Sequence, residues 1–165
     1  MIFMNSGQGR PDPKSERERF REERMNIVRF IKYNKSKKMT LESYWYAACY
    51  RLCLVFIKPK KLRPPWGEEG RESPQEETRA NYCQAAHISQ IVNRYCDKTV
   101  WESKCLVRAL TAQKMLSKRN IHSTLYLGCA QKDGKMIAHA WLRCGSMYVT
   151  GGNGEGYAEV DRFYK

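Results

Sequence analysis

The chain has 165 residues, and its 30 Lys and Arg outnumber its 17 Asp and Glu to give a formal net charge of +13. This length supports one ordinary domain with a core, but not two. The positive charge suits an acidic partner, although charge alone does not indicate nucleic acid. The excess is concentrated in residues 25–63, which hold ten basic residues and a single acid, Glu42.

Seven cysteines are scattered along the chain. An odd number, with no hydrophobic signal sequence before them, argues against a secreted disulfide framework and favours a reducing cytoplasm. No Cys-x-x-Cys pair occurs, and Cys49 and Cys53 stand four positions apart, so the spacing rules for structural zinc are not met. We therefore expect a cytoplasmic protein without a metal or cofactor.

The first 24 residues differ in composition from the rest of the chain. They lack apolar periodicity and alternate basic with acidic residues, which is typical of a segment that cannot bury enough surface to fold alone. We expect a disordered charged extension over residues 1–24 and one domain over residues 25–165. Because the composition changes at Met25, the natural start of translation could be Met1 or Met25.

A helix is predicted over residues 41–57, with Thr40 as its N-cap. It is apolar on nearly all sides, which indicates burial. At about seventeen residues, interrupted by Glu42 and Arg51, it is shorter than the roughly twenty apolar residues that a bilayer span needs. We interpret it as a core helix, with docking on a partner or peripheral contact with a membrane surface as the alternatives.

Two further helices are predicted over residues 79–95 and 104–119, where apolar residues recur at spacings of three and four. An acidic linker over residues 68–77 precedes them. The pattern then changes to that of strands, over residues 123–129, 136–144 and 147–150. Helices followed by an antiparallel meander predict an α+β fold, with N-terminal helices and a small antiparallel sheet.

Cys105 and His139 form the most informative pair in the sequence. Cys105 falls in the first turn of the third predicted helix, where free backbone N–H groups favour a thiolate and can hold an oxyanion. His139 follows within a predicted strand. Each residue alone is more often structural than catalytic. A cysteine on a helix followed by a histidine on a strand is, however, the order typical of a thiol nucleophile and its base.

Four segments around this pair resemble the transglutaminase-like leader peptidases of lasso-peptide biosynthesis: Cys105-Leu-Val-Arg-Ala-Leu110, Tyr126-Leu-Gly128, Ala138-His-Ala-Trp-Leu142 and Tyr148-Val-Thr-Gly151. The resemblance covers roughly residues 40–165. It is strongest to the stand-alone protease half of the split maturation protein, because there is no room for the separate small domain that grips the leader.

This resemblance implies a transglutaminase- or papain-like cysteine protease core that removes the leader from a ribosomally made lasso precursor. The cut frees the N-terminus of the core peptide, and a separate ATP-dependent cyclase then closes the ring. The implied partners are the precursor's leader and a small leader-recognition protein, with the cyclase as a further candidate.

The implied mechanism is that of a thioester enzyme: Cys105 attacks the scissile carbonyl, His139 takes and returns the proton, and water hydrolyses the intermediate. The chain departs from the family at the third residue. Family members often place an aspartate about a dozen residues after the histidine, where this chain has Gly151. The side chains that could orient the imidazole instead are Asn153, which we prefer, and Glu155.

Three residues near the pair are candidates for substrate binding. Glu102 and Ser103 precede the nucleophile and could line the leader groove or cap the helix. Trp141, on the same strand face as His139, could wall the active site or belong to the core. The glycine-rich residues 151–156 lack the following Lys-Ser/Thr of a nucleotide-binding loop, so a nucleotide is not expected.

Other functions remain as alternatives. An enzyme of this fold could transfer the acyl group to an amine, and a catalytically silent protein could serve as a scaffold in the maturation complex. Nucleic-acid binding is disfavoured, because the aromatic residues of the basic region cluster in an apolar helix rather than on an exposed face. We expect the basic residues 29–63 to dock a leader-recognition protein or an acidic leader.

Overall fold

The computed structural model describes residues 36–57, 61, 63–96 and 105–165. From Lys38 onward these residues belong to one unit. The extension predicted over residues 1–24 and the alternative start at Met25 lie outside the described residues.

The secondary structure follows the predicted order, helices before strands. In the part of the chain that the structure describes, three α-helices come first, α1 (Lys37–Phe56), α2 (Arg79–Cys96) and α3 (Cys105–Ser117), with a short 3-10 helix (Pro64–Trp66) after α1. The strands are β1 (Glu68–Glu69), β2 (Thr124–Lys132), β3 (Lys135–Cys144), β4 (Met147–Thr150) and β5 (Ala158–Tyr164). The predicted α+β class is confirmed.

The five strands form one antiparallel sheet in the order β1-β5-β2-β3-β4. The β2–β3 hairpin turns at Asp133 and Gly134, whose positive φ angles of 51° and 74° suit the right-handed twist of the strands. The predicted meander is thus observed in β2, β3 and β4. β5 then returns to pair with the other edge of β2.

The strands β1 and β5 were not predicted. The prediction of an acidic linker over residues 68–77 was wrong in part, because this segment contains β1. β5 lacks a clear apolar alternation: among its residues only Phe163 is buried. Its pairing with β2 also shifts register between Leu127 and Gly128, so a strict two-residue period does not describe it.

α3 is the central helix of the core. Eight of its thirteen residues are buried. Val107 and Leu110 belong to the same core cluster as Leu125 of β2 and Leu142 of β3. α2 adds a second helix to this cluster, and Ser89 of α2 donates a hydrogen bond to the Val149 carbonyl of β4 at 2.6 Å. The helices therefore cover one face of the sheet.

The prediction that α1 is a core helix was right for one face only: Ala47 belongs to the core cluster, and partly buried side chains of α1 pack against it. The helix buries only Thr40, Ser43 and Ala47, and its opposite face exposes large apolar side chains. Apolar composition could not reveal this, because it does not say how many sides of a helix meet a neighbour. No helix in the described ranges is both long and apolar enough to cross a bilayer.

An ion-pair cluster joins α1 to the C-terminal end of α3. The Glu42 carboxylate accepts a hydrogen bond from Arg119 at 2.9 Å and lies 3.2 Å from the Lys118 ammonium. Burial alone would raise the pKa of Glu42, but the hydrogen bonds and charges of the two basic residues outweigh it and lower this pKa. The single acid of the basic region is therefore neutralised within the fold.

Arg143 holds the other face of the sheet. Its side chain is 5% exposed and donates hydrogen bonds to the Tyr126 hydroxyl at 2.9 Å, the Gly145 carbonyl at 2.6 Å and the Ser73 carbonyl at 3.1 Å. It also pairs with the Glu72 carboxylate at 3.0 Å. This one guanidinium therefore fastens the segment before α2 across the end of β3.

We expect Arg143→Met to lower the free energy of unfolding by about 3 kcal/mol, because it leaves the Ser73 and Gly145 carbonyls without this donor and removes one of the two arginines that pair with Glu72. Chemical denaturation measures the change. Arg71→Met is the control, since Arg71 pairs with Glu68 in solvent and its loss should leave stability unchanged. Equal stabilities for the two variants would contradict this role of Arg143.

Candidate active site

A cavity of about 420 Å³ opens beside the first residue of α3. Cys105 and Leu106 line it from the helix, and Leu127, Ala138 and Ala140 line it from the β2–β3 hairpin. Cys105 is half-buried against the core. Its position at the helix start places the thiol near backbone N–H groups that have no partner within the helix. The cavity is therefore a candidate site for a carbonyl substrate.

The other wall of the cavity comes from the segment that precedes β1. Trp66 is buried there, with its ring edge-on to Phe163 at 5.4 Å between centroids. Arg63 contributes the positive charge of the lining, and its guanidinium pairs with Asp161 at 3.1 Å. The lining is therefore largely apolar among the described residues, and the Arg63 guanidinium already has a carboxylate partner.

His139 also borders the cavity, but the alternation of side chains along β3 turns its ring to the opposite face of the strand. Successive side chains of a strand point to opposite faces. Ala140 and Leu142 belong to the core cluster beneath the helices, so His139 and Trp141 face away from it. The β2–β3 register has no shift that would reverse this alternation.

The contacts of the His139 ring are consistent with this placement. Nε2 lies 2.7 Å from the Gly151 carbonyl oxygen, and the ring stacks on Tyr157 at 4.7 Å and on Trp141 at 6.0 Å between centroids. Because a carbonyl oxygen only accepts, Nε2 carries the proton of this hydrogen bond. In the neutral ring the free lone pair is then on Nδ1.

The structure therefore brings Cys105 and His139 to one cavity without pairing their side chains. Among the residues that are described, no hydrogen bond joins the thiol to the imidazole. The six cysteines whose side chains are described, Cys105 included, are free thiols.

The family model described as the transglutaminase-like superfamily matches residues 62–163, which include both Cys105 and His139. The chain belongs to the transglutaminase-like superfamily. This superfamily generally includes cysteine proteases and transferases. No match was found among curated proteins or among solved structures.

In this transglutaminase-like domain, Gly151 occupies the place where an aspartate was expected, and its backbone carbonyl holds the imidazole. Gly151 has a φ of 77°, and a Cβ there would lie 2.4 Å from the Ala140 carbonyl oxygen. Only glycine permits this close approach to β3. A backbone acceptor cannot be recognised from a residue type. The glycine-rich residues 151–156 were the one feature of the sequence that could have indicated it.

Neither Asn153 nor Glu155 makes a hydrogen bond to the His139 ring. The Asn153 side-chain oxygen instead accepts a hydrogen bond from the Glu155 backbone N–H at 3.1 Å, and both residues are exposed. The expected contact between Asn153 and the imidazole is therefore absent from this arrangement, because the amide closes its own loop. Glu102 and Ser103 lie outside the described residues.

Trp141 lies on the same face as His139, as predicted, and it is 5% exposed. Its ring stacks on Tyr126 at 5.5 Å with an interplanar angle of 8°. Gly128 and Gly154 bracket the indole, since a Cβ at either position would come within 2.7 Å of it. Trp141 therefore supports the His139 ring rather than the cavity beside Cys105.

The remaining histidines lie apart from this site. His87 is exposed on α2, and His122 accepts or donates a hydrogen bond at 2.9 Å to the Tyr164 hydroxyl. Within the described ranges, no group of three or more His, Cys, Asp or Glu could hold a metal ion.

We expect Gly154→Ala to destabilise the domain more than Gly152→Ala does. Both glycines have left-handed backbones, with φ of 75° and 68°, so each alanine costs about 1 kcal/mol on this ground. At Gly154 the new Cβ would also lie 2.5 Å from the Trp141 indole, whereas Gly152 has open space around it. Overpacking should add about 1–3 kcal/mol at Gly154 alone.

Thermal unfolding measures the difference, and near-ultraviolet circular dichroism reports the tryptophan environment. Only Gly154→Ala should change that spectrum. Indistinguishable unfolding curves for the two variants would contradict the close packing of the loop on Trp141.

Proposed function

We propose that this chain is a cysteine peptidase that removes the leader from a lasso-peptide precursor. The observation that carries the proposal is Cys105 at the start of α3, beside an apolar cavity, in a transglutaminase-like domain. The finer assignment, to leader removal, is supported by the resemblance of the segments around Cys105, His139 and Gly151 to lasso leader peptidases.

In the proposed reaction the Cys105 sulfur attacks the scissile carbonyl, and its proton passes through His139 to the leaving amine. A C–S bond forms and the C–N bond breaks, which gives a thioester. Water then attacks the thioester, the C–S bond breaks and the thiol regains a proton. The backbone N–H groups of the first turn of α3 are suited to stabilise the oxyanion of each step.

Proton transfer requires the imidazole to reach the thiol, so we further propose that substrate or partner binding rearranges β3 or the loop over residues 151–157. Catalytic hydrogen bonds commonly form only in the substrate complex. In the free protein, the Gly151 carbonyl fixes the tautomer that leaves Nδ1 able to accept a proton. In a rearranged loop, Asn153 remains our candidate to orient the ring, with Glu155 as the alternative.

The proposed setting is the cytoplasm, with the precursor's leader and a small leader-recognition protein as partners and the ATP-dependent cyclase as the enzyme that follows. Acyl transfer to an amine is the second candidate function, because the superfamily also includes transferases. The two differ in the mass of the product, since hydrolysis adds water to the acyl group and transfer adds the amine.

We expect mass spectrometry of a lasso precursor, incubated with this protein and its leader-binding partner, to show a single cut that frees the core peptide. Cys105→Ala should reduce cleavage by at least a hundredfold, because it removes the nucleophile. Cys83→Ala, at an exposed cysteine of α2, is the matched control and should cut normally. A cut by Cys105→Ala would contradict the assignment, and an amine adduct would identify a transferase.

The role of His139 can be tested through the reactivity of the Cys105 thiol, without measuring cleavage. We expect His139→Ala to slow alkylation of Cys105 by iodoacetamide at least tenfold in the presence of the leader and partner, because the thiol loses its base. Peptide mapping measures the rate at Cys105. His122→Ala removes an exposed histidine and should leave the rate unchanged. Equal rates in wild type and His139→Ala would show that the imidazole does not reach the thiol.

A further inference from the structure

The exposed face of α1 carries an apolar stripe with regular spacing. We define the α1 stripe by its five residues, Leu41, Trp45, Ala48, Leu52 and Val55. Their intervals alternate between four and three, which is the pattern of a seam between packed helices. The stripe extends over about 21 Å, or four helical turns.

Apart from the half-buried Ala48, the α1 stripe lies in solvent rather than against the rest of the described chain. Leu41 is 61% exposed, Trp45 68% and Leu52 58%. Phe56, at 81%, lies beside the stripe at the C-terminal end of the helix. Single exposed apolar residues are ordinary, whereas a contiguous row of large ones marks a site of interaction.

The charges of α1 indicate what covers the stripe. Lys37, Lys38 and Arg51 are basic, and the one acid, Glu42, is neutralised by its pairs with α3. The two lysines lie at the N-terminal end, where the helix dipole is already positive, and the first turn holds no acid. An anionic group from a partner would therefore stabilise this end of the helix.

We propose that α1 is the docking site for an acidic amphipathic helix of a partner protein. The partner's apolar residues, spaced by three and four, pack on the α1 stripe, and its Asp and Glu residues pair with Lys37, Lys38 and Arg51. The length of the stripe fits a helix of about four turns. The proposal does not depend on the reaction at Cys105.

Charge and spacing favour this occupant over three others. A second copy of the chain would bring together two molecules of charge +13. The chain's own residues 1–35 hold nine basic and five acidic residues, so they too carry the wrong charge. An anionic membrane has the right charge, but a fluid surface does not require apolar residues at intervals that alternate between four and three.

The test uses a synthetic peptide of about four turns with Leu at spacings of three and four and Glu at the other positions. Its binding to the full chain is measured by fluorescence anisotropy, beside a scrambled peptide and a peptide with Lys in place of Glu. We expect the acidic helical peptide to bind at least tenfold more tightly than either control.

Substitutions in the stripe locate the site. Trp45→Glu and Leu52→Glu should each weaken binding at least tenfold, and both residues are exposed enough for the fold to tolerate the change. Met136→Glu, at a residue of β3 that is 71% exposed, is the matched control and should not affect binding. Replacing Lys37 and Lys38 with Glu should weaken binding at low salt and reduce its salt dependence.

Each other result would overturn the proposal. Equal affinity for the acidic and basic peptides, or full binding by Leu52→Glu, would rule out recognition through the stripe and its charges. Association with phosphatidylserine vesicles that Leu52→Glu abolishes, without peptide binding, would identify a membrane surface. A dimer that this substitution dissociates in sedimentation would identify a second copy, and peptide binding only after deletion of residues 1–35 would identify an occupant within the chain.

Discussion

The alternation of side chains along β3 is the constraint on which the rest of the structure depends. Ala140 and Leu142 turn towards the helices and complete the core, while His139, Trp141 and Arg143 turn to the other face. The first set packs towards α3. The second set meets the loop over residues 151–157 and the segment before α2. Because a strand cannot rotate one residue independently, the imidazole that would serve as base and the Cys105 thiol lie towards opposite faces of β3.

The helices and three of the strands could be predicted because their own residues carry the pattern. α2 buries one side against the core and α3 most of its surface, and the predicted bounds of both helices match the structure within a few residues. α1 shows where this reasoning fails, since its composition indicates burial while Trp45 and Leu52 are exposed. β5 shows the converse, a strand that its own residues do not indicate. Only Phe163 is buried within it, and its pairing with the distant β2 includes a register shift.

For the candidate site, the sequence predicted the position of Cys105 at a helix start and the strand that carries His139. It could not predict the partner of the imidazole, because the Gly151 carbonyl is a backbone atom whose placement depends on close packing against β3. The contacts of Arg143 could not be predicted either. They join residues some seventy positions apart, and no local pattern marks them.

The place of β5 in the sheet affects how this protein folds as it is synthesised. β2, β3 and β4 are consecutive and can pair as soon as they leave the ribosome, but the second edge of β2 has no partner until β5 follows. Phe163, which packs on Trp66 in the core, arrives with that strand. Until β5 pairs, the nascent chain therefore presents an unpaired, largely apolar strand edge, and a chaperone would protect that edge from pairing with another chain.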